Sequence, residues 1–521
     1  LYLGFLIIAS AMPRYAAIDI GSNSIRMMAA EVEPGQPFRV LAEDRLVTRL
    51  GESVFSTGSL SLEAIDVTCG QLESMTQAYR AHNPRAARIV ATAAVRDASN
   101  SQEFLERASA IAGQPVELIS GQEEARLIHL GVETRWPHPA EKILIVDVGG
   151  GSAEVIAAAQ GRMIEGFSRP LGAVRLQSAF LKSDPPSPHE LLRMSESIEE
   201  KLAVVVRRLG GMKFQRAIAT SASASSIICA VNRIPRTRRD LADRRKATAA
   251  QIRRLYTQLS AMDLAQRRKV AGIGPRRAEI IVPGIAVLMH ILERFHLPAL
   301  AYCAAGVRDG VIRDLADRGA GRDRMRLDRE QRRLVEEFAR RFGVDLRHAR
   351  RVASFALELF ERLEPLHALP HPEGRLLEAA AYLRDVGHAI SDASHHKHSH
   401  YIVANADLGG FTADERRRVA MLCRYHRKAM PGPRHPEFLA LTPEDRRALL
   451  LLAPLLRVAD ALDRSREQRV EAIECLLRNG QVVVRLRAAA DTGLEQWAAE
   501  NAAAAFRLSY ERNLVIEKAA P

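Results

Sequence analysis

Two short stretches, AAIDIGSNSIR at 16–26 and LIVDVGGGSAEV at 144–155, each carry an apolar strand into an aspartate and then into a turn of glycine and hydroxyl residues. One such turn constrains little. Two of the same layout, about 130 residues apart, predict duplicated lobes that face each other across a cleft. Gly21 and the run Gly149, Gly150 and Gly151 offer backbone angles closed to other residues, so successive N–H groups converge on an anion. Ser22, Asn23, Ser24 and Ser152 add side-chain donors. Asp19 and Asp147 would repel a bare phosphate, so their placement suits a divalent cation that bridges carboxylate, water and phosphoryl oxygen.

The texture between and beyond these turns supports the duplication. From Tyr15 the pattern reads as strands over 15–20, 25–32 and 38–43, a helix near 61–82, a strand at 88–92, a helix near 101–112, a strand at 116–119 and a helix opened by Ser120 and Gly121. The order then begins again, with strands at 143–148, 153–159 and 162–168, helices, strands at 217–220 and 298–303, and a closing helix from Val307 to Arg318. Meanders followed by crossover helices imply two α/β lobes. The polar segment 319–330 reads as a linker, 328–470 as helical almost throughout, and 481–487 and 506–518 as strand-like. The expected division is 12–135 and 136–320 for the lobes, 321–475 for a helical domain and 476–521 for a small α+β unit. Residues 1–11, an apolar run ahead of Met12, read as an upstream extension too short to span a membrane.

Composition narrows the class. The five cysteines are scattered with no CxxC pair, which argues against a disulfide framework or a zinc ribbon and favours a reducing cytoplasm. Lys and Arg exceed Asp and Glu by 13, and such a field attracts polyanions. No helix-turn-helix, RRM or finger pattern accompanies the charge, so inorganic polyphosphate or a highly phosphorylated nucleotide is expected rather than a specific nucleic acid. Most of the arginines read as solvated faces.

Several further side chains are candidates for chemistry. Glu123 and Glu124 open the helix after Ser120; a carboxylate there either favours the helix dipole or serves as base toward an attacking water, and spacing does not choose between the two. Glu154 lies on the strand after the second turn, facing either cleft or solvent. Thr92 and Arg96 end another strand and are candidates for phosphoryl oxygen, with an Arg96–Asp97 surface pair as the alternative. His395, His396, His398 and His400 cluster around Lys397, and RYHRK follows at 424–428. Their irregular spacing and basic neighbours favour an anionic ligand over a metal.

These residues resemble the exopolyphosphatase and guanosine pentaphosphate phosphohydrolase (Ppx/GppA) family, within the actin, Hsp70 and sugar-kinase superfamily. The resemblance runs through both turns, ATAAVRDASN, ISGQEEARLIHLGVE, VPGIAVL and AGVRDGVI, and into HHKHSHYIVANADLGGF and RYHRK. It implies two actin-like (ribonuclease H-like) lobes, a mainly helical HD-like domain and a small α+β unit. It also implies Mg2+, with Mn2+ as the alternative, and a homodimer. In that scheme Glu124 matches the catalytic base, and Asp147 and Glu154 match carboxylates that handle metal and water. Asp19, Gly21, Ser22, Asn23, Ser24 and Gly149 to Ser152 match the phosphate loops, and Asp19 joins the metal set.

Two departures qualify what the resemblance implies. The segment ATSASAS at 219–225 replaces a glycine-rich loop, which argues against a nucleotide there. Arg384 and Asp385 stand where an HD pair would be, which removes a metal-binding nitrogen. The expected function is therefore a processive exopolyphosphatase with no membrane association, in which Lys397, His398, Arg424, Arg427 and Lys428 form a track for the polymer. The alternative is hydrolysis of guanosine pentaphosphate at the same site. A non-catalytic polyphosphate or nucleic-acid binder is the rival from another class.

Overall fold

The computed structural model describes residues 12–33, 38–320, 325–478 and 480–518. The expected extension 1–11 and part of the expected linker, 321–324, lie outside them. The chain divides into two compact units, the first ending at Gly319 and the second beginning at Ala320.

In the first unit the apolar runs become two mixed sheets. Strands β1 (Arg14–Ile20), β2 (Ile25–Glu31) and β3 (Arg39–Leu46) form an antiparallel meander, and β4 (Ala86–Ala91) and β5 (Val116–Leu118) extend it in parallel, in the order β3-β2-β1-β4-β5. The meander repeats as β6 (Lys142–Val148), β7 (Ala153–Ala159) and β8 (Arg162–Arg169). With β9 (Arg216–Ala219), β10 (Lys246–Thr248) and β11 (Ala299–Tyr302) it gives the order β10-β11-β9-β6-β7-β8. The short edge strand β10 is absent from the sequence reading because three residues carry no alternation. Helices cover both sheets, and β1 and β6 are accordingly buried along most of their length, as strands covered on both faces must be.

The lobes share more than a hinge. One apolar cluster joins Tyr15 and Leu127 to Ile145, Ile218 and Val311, so it draws on both sheets. The helix Val307–Ala320 crosses the helix Gly121–Arg135 so closely that a Cβ on Gly310 would lie 1.8 Å from the Leu127 carbonyl oxygen. Beside this crossing, Arg126 donates to Asp314 (2.8 Å) and Glu123 (2.8 Å), and Arg88 donates to Glu117 (3.0 Å), all but Glu117 being buried. The closing helix of the second repeat is thus bonded to the last helix of the first.

The second unit is mainly helical, with its longest helices at Pro443–Ala461 and Gly493–Tyr510. It ends in a three-stranded sheet, β12 (Ala472–Arg478), β13 (Gln481–Arg487) and β14 (Leu514–Lys518), in that order. Residues 506–510, expected as strand, are instead the end of the helix Gly493–Tyr510. Its alanine-rich run, AAENAAAAF, carries helical propensity through the short alternation FRLSY. Val335, Phe355, Leu456, Val484 and Phe506 belong to one core.

At the centre of this unit Arg384 is fully buried. Its Nε donates to Asp460 Oδ1 (2.6 Å), its Nη2 contacts His348 Nε2 and lies 3.5 Å from Asp385 Oδ2, and His348 Nδ1 in turn meets Asp463 Oδ2 at 2.8 Å. One guanidinium therefore ties together the acidic and imidazole groups around it. Burial pushes the Asp460 carboxyl up, but Arg384 together with His348 and His426 outweighs it and holds the group well below the usual range. Among the described residues, no helix is long and apolar enough to cross a membrane.

Candidate active site

The two turns are built alike. Gly21 N–H donates to Ser24 O (3.1 Å) and Gly149 N–H to Ser152 O (3.0 Å). In register across the flanking strands, Asp19 pairs with Arg26 and Asp147 with Glu154. Duplication thus places a cation in one lobe where the other presents a carboxylate.

Glycine serves these turns through space rather than through backbone angle. None of Gly21, Gly149, Gly150 and Gly151 adopts a left-handed φ, contrary to the expectation above. A Cβ on Gly150 would instead lie 3.1 Å from Ser22 Cβ and 3.2 Å from Asn23 N, and one on Gly151 would lie 2.6 Å from Ser22 Oγ. The turns face each other across a narrow gap. Their carbonyls are turned outward: Ser22 O accepts from Gly51 N–H (2.7 Å), Gly149 O from Ala173 N–H (2.9 Å), and Gly150 O from Val174 N–H (2.9 Å). Among the described residues, the N–H groups of Ser22, Asn23, Gly150 and Gly151 meet no protein acceptor, which is the disposition of an anion cradle.

A cavity of about 380 Å³ opens between the turns. Its lining includes Asp19, Gly21, Ser22, Asn23, Ser24, Thr92, Glu124, Asp147, Gly149, Gly150, Gly151, Ser152 and Glu154. Thirteen of the fourteen catalytic and phosphate-loop candidates named from the sequence therefore meet in one place. Arg96, the fourteenth, stands behind: its Nη1 donates to Ile119 O (2.8 Å) and its Nη2 lies 3.5 Å from Glu124 Oε2. Asp97 pairs with Arg175 instead.

The two glutamates after Ser120 part company. Ser120 Oγ accepts from Glu123 N–H (3.1 Å) and caps the helix. Glu123 turns to Arg126 and Arg88, which outweigh its burial and hold its carboxyl below the usual value. Glu124 faces the cavity, where burial, and then the charge of Glu154, push its carboxyl well above the usual range. Glu154 is 1% exposed and accepts from Ser168 Oγ (2.7 Å), so it points into the cavity. Burial and Asp147 raise it to about 7. Asp19 and Asp147 are raised chiefly by burial, with a Thr220 hydroxyl bond opposing the rise at Asp147.

This donor set is all oxygen, which suits a hard divalent cation. Among the described residues its carboxylates do not form a trio with ligand atoms within 4.8 Å of one another. Mg2+ typically takes one or two carboxylates together with water and phosphate oxygens, so the arrangement fits that ion.

The raised carboxylates make a stability prediction. The folded chain holds protons on Glu154 between its usual value of 4.5 and about 7 that the unfolded chain has released, so stability falls as pH rises through that window. In thermal unfolding of metal-free protein between pH about 5 and about 8, Glu154→Gln should gain on the wild type as pH rises. Added Mg2+ should narrow the gap by favouring the ionised form. A gap independent of pH would contradict the burial argument.

Sequence reasoning missed the arginines. Arg26, Arg45, Arg239, Arg277 and Arg308 also line the cavity. Among the described residues, the first four have no carboxylate within ion-pair distance; Arg26 donates to Ser24 Oγ (3.3 Å) and Arg277 to Ser223 Oγ (3.2 Å). Burial and neighbouring arginine charge push Arg45 and Arg277 down to about 9. Within the segment 219–225, Ser221 and Ala222 line the cavity, so side chains stand where a glycine-rich loop would leave space. Its buried Ser223 and Ser225 accept hydrogen bonds from Arg277 and Arg239. Only Arg26, seven residues after Asp19 as Glu154 is after Asp147, was accessible from the repeat.

The expected track residues all lie in the second unit. Lys397, Arg427 and Lys428 are exposed, while His398 and Arg424 are half-buried, Arg424 lying over the Tyr425 ring.

The description "Ppx/GppA phosphatase family" matches residues 28–319, and "Ppx/GppA phosphatase, domain III" matches residues 331–512. A guanosine-5'-triphosphate,3'-diphosphate pyrophosphatase of Vibrio vulnificus (strain YJ016) is 27% identical over 97% of both chains, and its Vibrio parahaemolyticus counterpart is 26% identical over the same shares. Among solved structures, the Aquifex aeolicus Ppx/GppA family member covers 59% of this chain and 99% of its own, at 28% identity and a TM-score of 0.52. An exopolyphosphatase from Cytophaga hutchinsonii shares the fold, with 23% identity, 58% and 98% coverage and a TM-score of 0.54.

Proposed function

Because this chain belongs to the Ppx/GppA phosphatase family, we propose that the cavity between its turns hydrolyses the terminal phosphoanhydride bond of guanosine-5'-triphosphate,3'-diphosphate. The full-length relatives carry that substrate in their names. The observation that carries the reading is the pairing, in one cavity, of facing anion cradles and buried carboxylates with arginines that lack carboxylate partners. Such arginines supply charge for phosphates beyond the one being cleaved.

In this reading the N–H groups of Ser22, Asn23, Gly150 and Gly151 hold the terminal phosphoryl group. Glu124 takes a proton from the attacking water as its oxygen bonds to phosphorus. The bond from phosphorus to the bridging oxygen breaks, and its electron pair leaves with the shortened nucleotide. Ser168 and Arg96 orient Glu154 and Glu124. One or two of Asp19, Asp147 and Glu154, with water and phosphate oxygens, would hold Mg2+ or Mn2+, which when bound neutralises phosphoryl charge. A raised carboxyl pKa brings the base nearer the operating pH.

A second reading, cleavage of inorganic polyphosphate, is favoured by the exposed Lys397, Arg427 and Lys428 and by the net charge of +13. The helical unit is read as HD-like in degenerate form, with Arg384 displacing an ion. Orthophosphate release from the nucleotide and from polyphosphate of defined chain length separates the two substrates. The expected result is a higher kcat/KM on the nucleotide, with the 3'-diphosphate retained in the product. Release from the polymer alone would overturn the proposal.

A further inference from the structure

The histidine cluster of the second unit holds an arrangement that the function above does not use. Asp385, His388 and His395 each present one ligand atom, and these atoms lie within 4.8 Å of one another. His388 Nε2 and His395 Nε2 are each 3.8 Å from Asp385 Oδ1, too far for a hydrogen bond. Their rings stack with centroids 3.8 Å apart. His426 Nε2 lies 3.3 Å from His395 Nε2.

The surroundings place protons on two of the ring nitrogens that face outward. His388 Nδ1 is 2.6 Å from Asp392 Oδ1, and His426 Nδ1 is 2.7 Å from the Cys423 carbonyl oxygen. A carboxylate and a carbonyl only accept, so each Nδ1 carries a proton, and in the neutral ring each Nε2 presents a lone pair. His395 Nδ1 stands 3.3 Å from both the Asp392 carbonyl oxygen and Arg427 Nη1, and Arg427 Nη1 is also 3.5 Å from His395 Nε2, so its side chain must turn aside for a cation to enter. With neutral rings, an Nε2–H on His395 would satisfy His426 but would leave His388 Nε2 facing a carboxylate oxygen with no proton between them. A divalent cation among these atoms would satisfy them together. Asp392 beside His388 is the outer carboxylate that commonly orients a metal-bound imidazole.

We propose that Asp385, His388 and His395, with His426 as the adjoining fourth donor, bind a divalent cation of the zinc type. Two imidazoles and one carboxylate, with a third imidazole adjoining, match that chemistry and not the all-oxygen preference of Mg2+. In a tetrahedral zinc site with Zn–N of about 2.0–2.1 Å, ligand atoms stand roughly 3.3 Å apart, the separation already found between His395 and His426. The site is distinct from the neighbouring position filled by Arg384, which occupies Asp460 and, with Arg466, faces Asp385 Oδ2. Oδ1 is the oxygen left toward the histidines. The sequence reading disfavoured metal for the irregular spacing and basic neighbours of the histidines; the carboxylate partner, Asp385, lies ten residues before His395 and one helical turn before His388, ahead of the cluster.

Co2+ titration of the full, chelator-stripped chain tests the site, because low-coordinate nitrogen-ligated cobalt gives intense visible bands and the oxygen-lined cavity of the first unit does not. The expected result is one equivalent of banded Co2+, displaced by Zn2+, with the bands lost in His388→Ala and in His395→Ala. Asp392→Ala should keep the bands but weaken affinity by about 10–100-fold. His388 has a 35% exposed side chain, so its replacement leaves the metal-free melting curve unchanged. Absence of the bands, or bands of equal intensity in both histidine variants, would overturn the proposal.

Discussion

Glu124→Gln is expected to lower kcat for orthophosphate release by about 10²–10⁴-fold while leaving KM close to that of the wild type. The amide keeps the size of the carboxyl and its place beside Arg96 but takes no proton from water. The loss should therefore fall on the chemical step rather than on substrate binding. The wild type should also lose rate as pH falls, since burial and the charge of Glu154 raise the carboxyl that must be ionised to act. That acid limb belongs to the coupled Glu124 and Glu154 pair, and it should change shape in the variant. Steady-state kinetics across pH, on the nucleotide and on polyphosphate, give both readouts. Retention of near-wild-type kcat would remove Glu124 as base. Glu123→Gln serves as contrast: Glu123 is bonded to Arg126 and Arg88, so its loss should show in stability rather than in the pH profile.

Arg384→Ala should destabilise the second unit by about 3–5 kcal/mol. The side chain is fully buried and is the counter-charge for Asp460 and Asp385. Removing it leaves Asp460 with only His348 at 3.5 Å and Asp385 with the half-exposed Arg466 at 3.5 Å, in a low-dielectric interior where both had a buried guanidinium. Urea unfolding of the full chain, followed by tyrosine and tryptophan fluorescence and by phosphate release in parallel, resolves the effect. A double variant, Arg384→Met with Asp460→Leu, should recover part of the loss, because the carboxylate most closely paired with Arg384 leaves with it. A single-variant effect below about 1 kcal/mol would show that Arg384 does not hold this unit together.

Much of the site was legible because its parts recur. Asp19 and Asp147, each at the end of an apolar strand and each followed by glycine and hydroxyl residues, advertise a strand leading into a turn whatever the surroundings. Glu123 and Glu124 show where such legibility stops. Adjacent on one helical turn, both acidic and both after the Ser120 cap, they are equivalent as letters. Arg88, Arg126 and Asp314 separate them in space, and those three come from a strand and two helices. Arg239 and Arg277 were invisible for a related reason. They sit in arginine-rich stretches that read as solvated surface, and only the packing of 221–231 beside them turns their guanidinium groups toward the cavity.

Local chemistry in the chain determined the two repeated meanders, the covering helices and the acidic strand ends, since hydrophobic period and turn composition act over a few neighbouring residues. Tertiary structure decided what those signals could not carry: which glutamate faces the cavity, which arginines rim it, and that Arg384 rather than an ion joins Asp460 to His348. Charge acts through distance and burial, and both are set by segments far apart in sequence.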